Sequence, residues 1–230
     1  MMQVRPCTKA EAAPFIERVH YARRWPSVTW AFALVDGGQI LGVVTYGTPS
    51  SAPLRSGVCG DDYAPNVVEL NRLCFVQRVP NGASMLVGRS LAMLPRPKVV
   101  ISFADIAQGH VGYVYQATNW LYTGLSAKRT DWAVRGMEHL HGQTIADRFR
   151  GSEDRAAAIR AAYGDDFYLK PRPRKHRYVT FVGDRRWVRA ARKALAYGVE
   201  PYPKGDTQRT QHGETLVDVQ PRQRDLFGMC

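Results

Sequence analysis

The sequence predicts an α/β fold: a central mixed sheet flanked by helices, with a basic helical C-terminal elaboration. Three observations lead there. Compact β-rich runs alternate with segments of helical apolar spacing, so strands and helices interleave along the chain. KVVISFA (98–104) is apolar without alternation, as in a central strand buried on both faces. From Lys170 to Lys193 there are ten Lys or Arg residues and a single acid, Asp184, so positive charge gathers toward the C-terminal part.

The elements follow in order. Residues 9–22 space their apolar groups as a helix does, with Thr8 as N-cap and Glu11 completing a capping box. TWAFALV (29–35), DGG and QILGVVTYG (39–47) form a hairpin, two β-rich runs around a glycine turn. Pro, Ser and Gly make 48–65 a loop. NVVELNRLCFV (66–76) reads as a strand, and a helix starts near Ser84 and stops at Pro95. The 98–104 strand, a short helix and another strand complete the core. Residues 128–200 look mostly helical (QTIADRFR, SEDRAAAIRAAYG, DRRWVRAARKALAYG), interrupted by one strand, RYVTFVG. The expectation is a single domain over 1–200, with core 1–127 and basic elaboration 128–200. Weakly patterned 201–230 is expected to be a flexible tail.

At 230 residues, 45% hydrophobic and 23% charged, the chain can bury a sizeable core, and global disorder is excluded. No apolar run approaches the roughly 20 residues of a membrane span, and no signal-peptide core opens the sequence. Cys7, Cys59, Cys74 and Cys230 are scattered, with no CxxC and no zinc spacing, which suits reduced thiols in the cytoplasm. The +12 net charge calls for a polyanionic partner. Arginine dominates the C-terminal run and aromatics interleave, so Arg172, Arg174, Lys175, His176, Arg177, Arg185 and Arg186 are expected to bind DNA.

QRVPNGA (77–83) joins a strand to a helix, where a helix N-terminus offers free N–H groups to an anion. It resembles the acyl-CoA pyrophosphate loop of the GNAT acetyltransferases, whose pattern is Gln/Arg-x-x-Gly-x-Gly/Ala. Arg78, Asn81, Gly82, Ala83 and Ser84 would hold the donor phosphates, with Asn81 standing in a glycine position. Asparagine tolerates the left-handed backbone better than most residues. The order of elements, a hairpin before the loop strand and a βαβ unit after it, agrees with a GNAT-like fold.

Four segments, HYARR (20–24), ELNRLCF (69–75), SFADIAQGHVGYVYQATNWLYTG (102–124) and KHRYV (175–179), together resemble the Mom family of phage DNA modification proteins. The resemblance implies conversion of adenine in DNA to N6-carbamoylmethyladenine, protecting phage DNA from restriction in the cytoplasm of a bacterial host. It carries acetyl-CoA and iron as associations, though no metal motif stands in this sequence, and the metal ligands stay unknown. It places His20, Asn71, Ser102, Asp105 and His110 among the catalytic residues. It places Tyr21, Arg72, Gln108, Gly109, Tyr115 and Asn119 at the substrate, and Tyr46 is added there as an aromatic that suits base stacking. The ELNRL and ISFAD strands would be the two that splay apart in a GNAT-like sheet.

The residue types suit that chemistry. An exocyclic adenine amine is a poor nucleophile and needs positioning, a base, and donors for a developing oxyanion. Asp105 is the first choice for the base or for orienting N6–H, with His20 or His110 sharing proton work. Ser102 and Asn71 supply hydrogen bonds to the donor carbonyl or the base edge. Tyr46 and Tyr115 would stack on an extruded base, and Trp120 could do so too but reads sooner as a core residue. The added –CH2–CO–NH2 group contains a nitrogen that acetyl-CoA lacks, whereas glycine has every atom. Attack of N6 on a glycyl ester would give C6–NH–CO–CH2–NH2. Closure of the free amine on C6 and reopening would leave C6–NH–CH2–CO–NH2. Glycyl-tRNA is therefore a second donor candidate and tRNA a second polyanionic partner.

QRDLF (223–227) is similar to the bacterial sliding-clamp peptide, so Gln223, Leu226 and Phe227 form a candidate clamp contact. The rival readings are a GNAT N-acetyltransferase acting on a small amine or protein and a non-catalytic nucleic-acid-binding protein. An adenine methyltransferase lacks its DPPY-like tetrad here.

Overall fold

Alternation along the strands decides which residues face which layer. The computed structural model describes residues 1–49, 51–140 and 142–205. Its strands are β1 (Gln3–Pro6), β2 (Trp30–Asp36), β3 (Gln39–Gly47), β4 (Val67–Phe75), β5 (Lys98–Asp105), β6 (Leu121–Leu125), β7 (Arg129–Val134), β8 (Phe167–Arg172) and β9 (Lys175–Val182). Its helices are α1 (Lys9–Pro14), α2 (Ala52–Cys59), α3 (Gly82–Met93), α4 (Tyr113–Ala117), α5 (Gly142–Asp147), α6 (Arg155–Tyr163) and α7 (Arg185–Lys193).

Seven strands form a mixed sheet in the order β1-β2-β3-β4-β5-β9-β6. β1 to β4 pair antiparallel and β4 pairs β5 in parallel. Phe32 and Leu34 of β2 pack on one face with Val44, Tyr46, Leu70, Val100 and the α3 residues Leu86 and Val87. Ala33 and Val35 face the other side, where Ala12, Phe15 and Ile16 cover them. Farther along that face, Val67, Val99, Ile101 and Val179 pack with Val58 and Cys59 of α2 and with Trp187 of α7. The architecture is the expected α/β mixed sheet flanked by helices, and Val99, Val100 and Ile101 are buried as a central strand requires.

Local chemistry sets the entry into this sheet. The Thr8–Glu11 capping box forms as the sequence predicts. Arg5, then the Thr8 amide, hold the Glu11 carboxyl down to about 2. Pro14 adds no N–H to the ladder, and Phe15–Val19 widen into a π turn closed by His20 N–H on the Phe15 carbonyl at 2.9 Å.

The described chain divides into two compact units. The sheet unit contains Met1–Ala104, His110–Gly124 and the described residues from His176. The second unit contains Asp105–Gly109 and Leu125–Lys175; it has its own antiparallel β7–β8 ladder and a small core of Val134, Ile145 and Ile159.

Three expectations are corrected. The 48–65 loop contains α2, capped by the Ser51 hydroxyl, and a 3-10 turn over Asp61–Asn66. Its Pro, Ser and Gly content hides a helix that only Val58 and Cys59 anchor fully. The 128–200 stretch is not mostly helical, because β7 and β8 pair across more than thirty residues of intervening chain and carry too much charge to alternate cleanly. β1 was not anticipated. Of the expected tail, 201–205 still pack: the Tyr202 hydroxyl donates to the Trp120 carbonyl at 2.8 Å. Gln223, Leu226 and Phe227 lie outside the described residues. Cys7, Cys59 and Cys74 are free thiols. Among the described residues no helix is long and apolar enough to cross a membrane.

Candidate active site and nucleic-acid interface

The sheet opens at a defined residue. Leu70 and Ser102 are the last Cα partners of the parallel β4–β5 pair, although β4 continues to Phe75 and β5 to Asp105. On the other edge of β4, Thr45 pairs with Arg72 and Tyr46 with Leu70, so Asn71 is the extra residue of a β-bulge. A bulge bends its strand and increases the twist. β4 therefore turns from β5 where Asn71 is inserted.

The opening is held by hydrogen bonds. Ser102, 1% exposed, lies 2.8 Å from the Leu70 carbonyl and 2.8 Å from the Tyr115 hydroxyl. Serine has one proton and the carbonyl can only accept it, so the Tyr115 O–H donates the second bond. Burial pushes the Tyr115 phenol up to about 12, which keeps it a neutral donor. Asn71 accepts from the Thr45 hydroxyl at 2.6 Å and donates to the Ser27 carbonyl at 2.7 Å. Gly47 leaves room for this contact: a Cβ there would sit 1.8 Å from the Ser27 oxygen. Arg72 donates to the Arg24 carbonyl at 2.9 and 3.3 Å, and burial lowers its pKa. Asn71 and Arg72 thus anchor the segment that follows His20 and Tyr21.

His20 is 8% exposed, and its Nδ1 accepts the Ala22 N–H at 3.1 Å. The neutral ring therefore carries its proton on Nε2. Its ring stacks on Tyr21 at 4.4 Å, and Tyr21 meets His110 edge-on at 6.0 Å. Tyr21 is 47% exposed, the most exposed ring of this trio. Glu69 acts electrostatically on both Arg72 and Tyr115. It is a half-buried carboxylate that sequence reasoning passed over, two residues before Asn71 in the same ELNRL strand.

Tyr46 and Tyr115 require correction. Both belong to the core cluster with Trp120, and the Tyr46 hydroxyl bonds Ser90 at 2.7 Å. Buried rings in contact with one another line the core and are not free to stack on an extruded base. Asn119, at φ +59°, sits in the turn after α4, where its N–H reaches the Gln116 carbonyl.

In the second unit, Asp105 caps the 3-10 turn Ile106–Gln108 through Oδ1 on the Ala107 N–H at 3.0 Å. Its Oδ2 pairs with Lys175 Nζ at 3.1 Å. Gln108 and Gly109 are exposed, and Gly109 takes the left-handed backbone at φ +66°.

Between β4 and α3 the loop has the anticipated form. Asn81 is left-handed at φ +57° and is itself the helix N-cap, the place expected for a glycine. A Cβ on Gly82 would lie 2.8 Å from Val79 Cβ, so glycine is required there. Ser84 Oγ donates to the Asn81 carbonyl, and Arg78 is exposed. First-turn amides such as those of Ala83 and Ser84 face outward from a helix start.

The basic run separates into two parts. Arg172 forms a forked pair with Asp131. Arg174 donates to the Ser126 and Leu125 carbonyls, Lys175 pairs with Asp105, and His176 bonds the Tyr122 hydroxyl. Arg177 donates to Thr123 Oγ1 and its carbonyl and lies 3.4 Å over the Tyr197 ring. Arg185 and Arg186, at the start of α7, are exposed with no such ties among the described residues. Among the described residues no group of three or more His, Cys, Asp or Glu side chains fits a metal ion, so the donor set does not fit iron.

Residues 1–204 match the profile of the Mom protein family. The chain belongs to that family. The methylcarbamoylase Mom of Escherichia phage Mu is 28% identical over 202 residues, covering 84% of this chain and 80% of that protein. Among solved structures, Arabidopsis thaliana NAA60 in complex with acetyl-CoA aligns over 79% of this chain and 99% of its own, with TM-score 0.46 and 13% identity. An N-acetyltransferase from Staphylococcus aureus Mu50 aligns over 79% and 98%, with TM-score 0.42 and 13% identity. The fold of this Mom-family chain rests on its own strand order, on the β3–β4 bulge and on the β4–β5 pair that ends at Leu70 and Ser102.

Proposed function

We propose that this Mom-family protein modifies adenine in DNA at N6, giving N6-carbamoylmethyladenine and shielding phage DNA from restriction. Membership of the family and the methylcarbamoylase name of the phage Mu relative support the group transferred. The observation that carries the reading is the β4–β5 pair opened at Asn71, followed along the chain by the α3 N-terminus.

The residues divide the work. His20, its Nδ1 turned to the Ala22 N–H, shares the proton work at N6. Asp105 accepts or orients the N6 proton, each carboxylate oxygen retaining a lone pair beyond the Ala107 and Lys175 contacts. Tyr21 stacks on the extruded base and Gln108 reads its edge. Ser102, Asn71 and Arg72 hold the geometry through their internal bonds. Arg78 and the first-turn amides of α3 fit the diphosphate of a donor. The activated acyl group must be glycyl: N6 displaces the carrier, the free amine of C6–NH–CO–CH2–NH2 closes on C6, and cleavage of the original C6–N6 bond leaves C6–NH–CH2–CO–NH2.

The test is to co-express the protein with a plasmid and digest that DNA to nucleosides for mass analysis. A carbamoylmethyl mass on deoxyadenosine is expected; unmodified DNA from cells containing folded protein overturns the reading. Isotopes separate the donors. Labelled glycine carbon and nitrogen entering together through charged tRNA identifies a glycyl donor, and label arriving from acetyl-CoA alone eliminates it.

A further inference from the structure

Five cations remain free on α7, and their placement is regular. Arg185, Arg186, Arg189, Arg192 and Lys193 are all exposed, and none forms an ion pair or side-chain hydrogen bond with a described residue. At 100° per residue they fall within an arc of about 120°, spread over about 12 Å of helix axis. Trp187 and Ala191 occupy the opposite side and hold the helix to the sheet, Trp187 against Tyr63 at 5.7 Å. Asp184, the single acid beside the face, precedes the helix as its N-cap and accepts the Trp187 N–H at 2.9 Å, so the five cations outnumber it.

We propose that this cationic face of α7 grips the phosphate backbone of B-form duplex DNA, an inference that rests on the DNA reading above. Duplex DNA offers about one negative charge per 1.7 Å of axis, so about seven phosphates lie along the roughly 12 Å that these five cations span. A B-form major groove about 12 Å wide admits a helix, whereas the major groove of A-form RNA is too deep and narrow for side chains to read. Single strands are held on aromatic platforms, and the only aromatic on α7, Trp187, is packed in the core. Arg189, Arg192 and Lys193 thereby join Arg185 and Arg186 in one binding surface.

The test is the salt dependence of binding to an unmodified 30-base-pair duplex without donor. The full-length chain is compared with the Arg185→Gln/Arg189→Gln/Arg192→Gln variant and with a charge-matched control, Lys128→Gln/Arg129→Gln/Lys170→Gln. Loss of three phosphate contacts should lower the slope of log K against log salt by about 2.7, and the control should keep the parent slope. A milder Arg189→Gln/Lys193→Gln variant should lower it by about 1.8, and thermal unfolding of all variants should match the parent. An unchanged slope in both folded α7 variants overturns the proposal, as does an equal loss in the control, which would mean diffuse attraction. A loss confined to tRNA, added as a competing ligand, overturns it in favour of RNA. Plasmid modification is scored separately. A lowered slope with no modified adenine removes the catalytic reading alone, and modified adenine with an unchanged slope removes the α7 proposal alone.

Discussion

Arg172–Arg177 carries four Lys or Arg residues and Arg185–Lys193 five, yet among the described residues the first stretch is tied into the protein and the second is not. The difference comes from the backbone that carries them. Around β9, the carbonyls of Thr123, Leu125 and Ser126 accept from Arg177 and Arg174, while Asp131 and Asp105 take Arg172 and Lys175. On α7 the helix satisfies its own carbonyls, and an exposed face with no acid on it leaves its cations to solvent or a ligand. Charge density alone therefore does not mark a nucleic-acid site; charge without an internal partner does.

The largest effect is expected where the tied stretch meets the chemistry. Asp105→Asn keeps an N-cap for the Ile106–Gln108 turn but cannot accept a proton or pair with Lys175. Modified adenine should fall by about 10²- to 10⁴-fold with thermal unfolding little changed. If activity survives Asp105→Asn, and Asp105→Ala instead unfolds the protein, Asp105 is a cap and no more.

Next come the arginines themselves. Arg177→Ala removes two hydrogen-bonded contacts and a cation–π contact at once, and should cost about 2 kcal/mol of stability in denaturant unfolding. Arg189→Ala, with no internal partner, should stay within about 0.5 kcal/mol of the parent. Equal losses in the two would break the comparison. A neutral side chain with internal partners should behave like Arg177. Asn71→Ala loses its bonds to Thr45 and Ser27 and should cost about 1–2 kcal/mol, with a fall in activity as the His20–Tyr21 segment loosens. Stability unchanged in Asn71→Ala would mean that the bulge needs no side-chain support.

The contrast also shows what a single sequence makes legible. The β2–β3 hairpin, α3, the capping box at Thr8 and the buried β5 were readable because each depends on local periodicity or on a turn residue. The left-handed Asn81 was readable for the same reason, since few residues take that backbone. The β7–β8 ladder was not, because its partners are remote and its pattern is polar. The opening of the sheet was expected from the family resemblance, but its cause was hidden: an extra residue in β4 shows only when β3 is laid beside it. Tyr46 and Tyr115 looked like stacking platforms because residue type says nothing of depth, whereas Trp120 lies in the core as its size and apolar setting suggested. Arg172 and Arg189 are alike in sequence; Asp131 lies beside the first, and among the described residues no acid pairs with the second.

The smallest effect concerns pH. Burial lowers the pKa of His176, whose Nδ1 lies 2.9 Å from the Tyr122 hydroxyl. The folded state then prefers the neutral ring more strongly than the unfolded chain does. The contribution is complete above the unfolded value of about 6.5, is lost as pH falls through 6.5, and levels off below the lowered folded value. His176→Gln removes that titration, so the stability gap between parent and variant should be wider at pH 8 than at pH 5 in denaturant unfolding. A cation on α7 gains no such pH dependence, and Arg189→Gln should show the same gap at both pH values. A His176 gap that stays constant, or widens in acid, would mean that the ring is exposed enough to take up its proton freely, placing His176 with the free cations of α7 and not with the tied ones of β9.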